Sequence, residues 1–151
     1  MRIVLDTNVL ARANPRARGA ARALIDLIRD SRDHTLILLP FLLTELERVL
    51  NYPRLQMLWP LAPLEIATYI QALQDFAEDV FPGPSQAVIT SDPADDPVLA
   101  TAVAGRANVL CTLDRHFAAP AVLEYARRHG FELTNDAELL RRLRSGESGT
   151  Q

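Results

Sequence analysis

The sequence predicts an α/β fold built on a mainly parallel sheet. Two observations lead there. Short uninterrupted apolar runs, such as "RIVLD" at 2–6, are rich in β-branched residues and read as strands buried on both faces. Between them lie longer segments whose apolar residues recur at helical spacing. Strands alternating with helices imply parallel strands joined by crossover helices. A chain of 151 residues suits one domain with one core; the spacing places it at 1–144, with a disordered tail at 145–151, "SGESGTQ", which has nothing to bury.

After the strand at 2–6, residues 17–30 form an amphipathic helix, because Ala21, Leu24, Ile25 and Ile28 share one face. "TLILL" (35–39) is a second buried strand, closed by Pro40, and "FLLTELERVLN" (41–51) is a helix. Three prolines make residues 52–63 a connection containing a short helical turn. Residues 64–80 are a long amphipathic helix, and "PGPSQ" (82–86) is a loop. "AVIT" (87–90) is either a short strand or part of that connection. A helix at 97–106 leads to the strand "NVLCTL" (108–113). A helix at 119–130 is capped by Gly130. The strand "FELT" (131–134) and a helix at 136–144, capped by Asn135, complete the domain.

Composition narrows the function. Hydrophobic residues make up 48% and charged residues 23%, a soluble mixture, and no apolar run approaches the ~20 residues that span a bilayer. Asp6 falls too early for a signal-peptide core, so the expectation is a cytoplasmic protein that does not engage membranes. Cys111 has no second cysteine to pair with and sits in an apolar run, a packing role. The net charge of −3 is no basic footprint for nucleic acid. All 16 basic residues are arginine, which excludes chemistry that needs a lysine.

In open parallel sheets, sites form beyond the carboxyl ends of the strands. Asp6 stands at the end of the first strand and Asp114 just past "NVLCTL". Asp96 precedes Pro97 and so caps the helix 97–106. Taken singly, each is most often a turn former or a cap. Glu45 falls among the inward positions Phe41, Leu42, Leu46, Val49 and Leu50 of its helix. A carboxylate there needs a partner, either a metal or an arginine; Glu47 points to the edge. Four acids converging on one mouth of the sheet would repel one another unless a cation intervened. Hard cations such as Mg²⁺ or Mn²⁺ take carboxylate ligands, and no His/Cys cluster has zinc spacing. His34, His116 and His129 are scattered surface residues, His116 being the one considered for substrate contact. Such a carboxylate–metal site can activate water for attack at phosphorus, which makes a phosphodiester the substrate class.

"IVLDTNVL", "TELERVL", "DPADDPVLATA" and "VLCTLD" resemble, in this order, the PIN-domain ribonucleases, with the closest likeness to the VapC-like toxins of bacterial toxin–antitoxin pairs. The resemblance covers roughly residues 1–140. It implies a three-layer α/β/α sandwich and an acid cluster binding Mg²⁺ or Mn²⁺. Carried over by motif, Asp6, Glu45, Asp96 and Asp114 are the metal-binding catalytic acids. Asn8 and Thr112 match polar positions beside them, and Asp92 a supporting acid. The branch commonly has glycine before the fourth acid, where this chain has Leu113, and Pro97 replaces a position often polar.

The expected activity is a Mg²⁺- or Mn²⁺-dependent endoribonuclease acting as a toxin. The alternative is a catalytically inactive PIN-like module that binds RNA or protein. Phosphatases of the haloacid-dehalogenase type and receiver domains need a lysine, and neither GxGxxG nor a P-loop is present. Arg12, Arg16 and Arg18 are candidate RNA contacts that would offset the acids. A cognate antitoxin and a homodimer are the partners implied by the resemblance. The helices 41–51 and 64–80 are apolar enough to offer a partner surface, although their stripes serve the core first.

Overall fold

The computed structural model describes residues 1–82 and 96–149, the last three as backbone only. Five parallel strands form one sheet in the order β3-β2-β1-β4-β5. They are β1 (Arg2–Leu5), β2 (Thr35–Leu38), β3 (Glu78–Asp79), β4 (Val109–Cys111) and β5 (Glu132–Thr134). The register sets Ile3 beside Leu36 on one side and beside Val109 on the other. Helices α1 (Thr7–Arg12), α2 (Ala20–Asp30), α3 (Phe41–Leu50), α4 (Pro53–Leu58) and α5 (Pro63–Phe76) precede residues 83–95 in chain order. Helices α6 (Pro97–Ala104), α7 (Pro120–His129) and α8 (Asp136–Gly149) follow, with a 3-10 turn at Arg115–Ala118.

Strand alternation divides the core in two. Ile3, Leu5, Leu36, Leu38, Val109 and Cys111 face one way and pack with residues of α1, α2, α3, α5 and α8. Val4, Ile37 and Leu110 face the other way, against α6, α7 and Phe117 of the 3-10 turn. The result is the three-layer sandwich, with a wholly parallel sheet. Burial pushes the Cys111 thiol up to about 12, as expected of a packing residue without redox or nucleophilic work.

Several boundaries differ from the spacing-based reading, each for a local reason. Residues 7–12 are helical, because Asp6 ends β1 and at once caps α1 by accepting from Thr7 N. Helix α2 starts at Ala20, after an extended Gly19. The helix expected over 64–80 stops at Phe76, and Glu78–Asp79 pair with β2 instead. Both strand residues are exposed, so no apolar alternation announces them. Helix α8 continues to Gly149, so residues 145–149 extend a helix where a structureless tail was expected. The expected strand or connection at 87–90 lies outside the described residues.

Other local expectations hold. Asp96 caps α6 with Pro97 in its first turn, Gly130 closes α7 in the left-handed conformation at φ 79°, and Asn135 Oδ1 accepts from Glu138 N at 2.8 Å. No helix among the described residues is long and apolar enough to cross a membrane. Gly105, at the end of α6, lies against β2: a Cβ there would sit 2.5 Å from Ile37 Cγ2.

One buried hydrogen bond ties α5 to α1. The Tyr69 hydroxyl donates to the Leu10 carbonyl at 2.6 Å from a position only 3% exposed. Tyr69→Phe is therefore expected to lower unfolding stability by ~0.5–1.5 kcal/mol. Urea denaturation should show a lower midpoint with an unchanged slope.

Candidate active site

The carboxyl ends of β1 and β4 open onto a cleft of about 400 Å³. Asp6, Glu45, Asp96 and Asp114 all line it, with Asn8, Phe41, Val49 and Phe117 among the remaining walls. The acids come from four separate segments: the end of β1, the middle of α3, the cap of α6 and the residue before the 3-10 turn. No arginine, lysine or histidine is among the described residues of the lining.

Asp6 is the most constrained of the four. It is 9% exposed, and both its oxygens accept protein hydrogen bonds, Oδ1 from Thr7 N at 2.7 Å and Oδ2 from the Thr112 hydroxyl at 2.7 Å. Burial raises its pKa; the bonds from Thr112 and Thr7 partly oppose this, and the charges of Asp96 and Asp114 raise it further. Thr112 in turn accepts from Asp114 N at 3.0 Å, so one hydroxyl orients two of the acids. Asn8 Oδ1 accepts from Leu113 N at 3.3 Å, bracing the same loop. Among the described residues the positive backbone angles belong to Arg106 and Gly130. Leu113 therefore does not need the freedom that a glycine would bring to its position.

Asp96 spends one oxygen on the helix end: Oδ1 accepts from Val98 N at 2.8 Å and Leu99 N at 3.3 Å. Asp114 Oδ1 accepts from His116 N at 2.9 Å and pairs with His116 Nδ1 at 2.8 Å. The backbone bond, helped by the imidazole, holds its pKa below the ordinary carboxylate range. Glu45 accepts from Arg48 at 2.5 Å, one turn along α3. That is the arginine partner weighed against a metal for this position. Both side chains are solvated, at 38% and 63% exposure, and exposed pairs at this spacing are worth only ~0.3–0.5 kcal/mol. Such a bond is readily exchanged.

Other sequence-based candidates fall elsewhere. Phe41, expected to face inward, is 62% exposed and forms the rim of the cleft. Leu43 takes its place in the core. Arg12, Arg16 and Arg18 are not part of the cleft lining; Arg16 is bound in a two-pronged pair with Glu65, both contacts 3.1 Å. Asp92 lies outside the described residues. Sequence reading did not foresee the contact of His116 with Asp114, although a histidine two residues after a turn-forming acid is the spacing that permits it.

The family model described as the PIN domain matches residues 2–116, a span that includes all four acids. The chain belongs to the PIN domain family. No curated protein and no solved structure matches it. PIN domains are mostly metal-dependent nucleases and generally bind divalent cations. In this PIN domain, no three carboxylate, imidazole or thiol groups among the described residues are gathered as one ion would require. The donors nevertheless fit a hard divalent cation in kind, since every one is a carboxylate oxygen. Asp6 supplies the physical reason: a buried carboxylate, facing two others across one cleft, is stabilised in its charged form by a nearby cation.

Proposed function

We propose that this PIN-domain protein is a Mg²⁺- or Mn²⁺-dependent endoribonuclease that serves as the toxin of a toxin–antitoxin pair. The observation that carries the nuclease reading is the meeting of Asp6, Glu45, Asp96 and Asp114 on one cleft at the carboxyl ends of β1 and β4. Asp6, Asp96 and Asp114 would hold the ion, with Glu45 leaving Arg48 to complete the set. When bound, the ion supplies an activated water and charge stabilisation at the phosphorus. The chain's own residues fix the geometry. Thr7 N and Thr112 lock Asp6 in one orientation, Thr112 and His116 lock Asp114, and the start of α6 locks Asp96. Supports of this kind tune metal affinity by ~10–100-fold.

The toxin role follows the sequence resemblance. Apolar residues left outside the core bear on its partners. Helix α4 buries none of its residues; Met57 and Leu58 on it, and Leu64 in the first turn of α5, are exposed. A small antitoxin or a second copy of the chain would cover such side chains.

The inactive binding module remains the competing reading, and the Glu45–Arg48 pair is the observation in its favour. One assay separates the two. Purified protein should cleave a labelled structured RNA in Mn²⁺, and a chelator should stop it. RNA binding without cleavage in any metal would overturn the enzyme and leave the module.

A further inference from the structure

A second cleft, about 390 Å³, lies over the carboxyl ends of β4 and β5. Asp114 and Phe117 line both clefts, so the two adjoin across these residues. Resting on the nuclease reading, we propose that this second cleft seats the nucleotide next to the scissile phosphate of a single-stranded RNA, with Arg115 on its phosphate and its base against Leu123 and Leu133.

Charge is the first support. Among the described residues the first cleft carries four acids and no basic residue, whereas the second carries only the shared Asp114 and gains Arg115. Among the described residues Arg115 forms no ion pair, unlike Arg16, Arg48, Arg127 and Arg141. A guanidinium one residue from a candidate metal ligand is placed for the backbone of a strand that has just crossed the acids.

Shape and lining are the second support. A volume of about 390 Å³ lies in the ~300–1,000 Å³ range of clefts that hold small organic ligands. Its apolar surface includes Leu123, 49% exposed, and Leu133. Thr134 and Asn135 add polar groups. The Asn135 oxygen is committed to capping α8, which leaves its amide nitrogen as the donor. An apolar surface with a few polar groups suits a splayed-out base, which only an unpaired strand presents. The strand order also favours this path. Because β5 is the sheet edge beyond β4, the cleft leads away from the acids toward the outside of the molecule.

The test is fluorescence anisotropy of a labelled decauridylate over a salt series, with chelator in place of Mn²⁺ so that cleavage does not compete with binding. Steady-state cleavage of the same decamer in Mn²⁺ runs in parallel. Arg115→Ala should weaken binding ~5–10-fold and lower the slope of log Kd against log salt by about 0.7, the loss of one phosphate contact on a single strand. Leu123→Asp, at an exposed position, should weaken binding at least as much. A duplex of the same length should bind no differently to wild type and variants. Arg54→Ala, at a position that lines neither cleft, should bind the decamer like wild type. Wild-type affinity and salt slope in Arg115→Ala would overturn the proposal while leaving the nuclease intact. A wild-type protein that neither binds nor cleaves any RNA would remove the nuclease reading and the proposal with it.

Discussion

Asp96→Asn is expected to lower RNA cleavage by at least ~10²–10³-fold, the loss usual when a charge-stabilising group leaves an active site, while the protein stays folded. The prediction is sharp because the two jobs of Asp96 separate. Its capping oxygen accepts from Val98 N and Leu99 N, and asparagine caps a helix as well as aspartate does. What disappears is a negative charge facing Asp6. That charge helps raise the Asp6 pKa, after burial, and Asp114 does the same. A carboxyl whose native pKa lies above its unfolded value of 3.8 binds more protons in the native state. Asp6 therefore contributes stability that metal-free wild type loses as pH rises from that value through the raised native pKa, against the opposite contribution of carboxylates with lowered pKa such as Asp114. The variant should lose less over the same window. Thermal melts in chelator between pH 3.5 and 8 would show this. Added Mn²⁺ should raise the melting temperature of the wild type more than that of the variant. Full cleavage by Asp96→Asn would end the assignment of this residue.

Two neighbouring positions on α3 should give opposite results. Leu46 is wholly buried, and Leu46→Ala should destabilise the fold by ~2–5 kcal/mol, combining lost burial with a cavity. RNA cleavage per folded molecule should change little at temperatures where it remains native. Glu45, one residue earlier, lines the cleft. Glu45→Gln should leave stability within ~0.5 kcal/mol, because only a solvated pair with Arg48 is lost. Cleavage should fall by ~10–100-fold, as for groups that complete a metal site. Denaturant melts and rates measured side by side would separate the outcomes. Equal activity in Glu45→Gln would place this carboxylate outside the reaction.

What could be read from the chain before folding depended on how local the signal was. The buried strands stood out because both faces of a parallel sheet demand apolar residues, and Asp96 stood out because Pro97 marks a helix start. Phe41 was misplaced because a helical stripe is about 100° wide, and residues at its margin can face core or solvent. Strand β3 was invisible because two exposed acids carry no alternation. The link from Thr112 to Asp6 spans 106 positions; only the resemblance to a family put polar roles there. The arginines after β1 failed as cleft residues because charge count does not reveal direction, and Glu65 on a distant helix claims Arg16.

The outermost strand β3 has a consequence for assembly. It is two residues long, and both are solvent-facing acids, with Glu78 held by Arg2. At the opposite border β5 has only three residues, and its Glu132 is tethered to Arg142. Short, charged borders resist the addition of a strand from another chain. Fibril-like stacking and continuous inter-subunit sheets are thereby disfavoured.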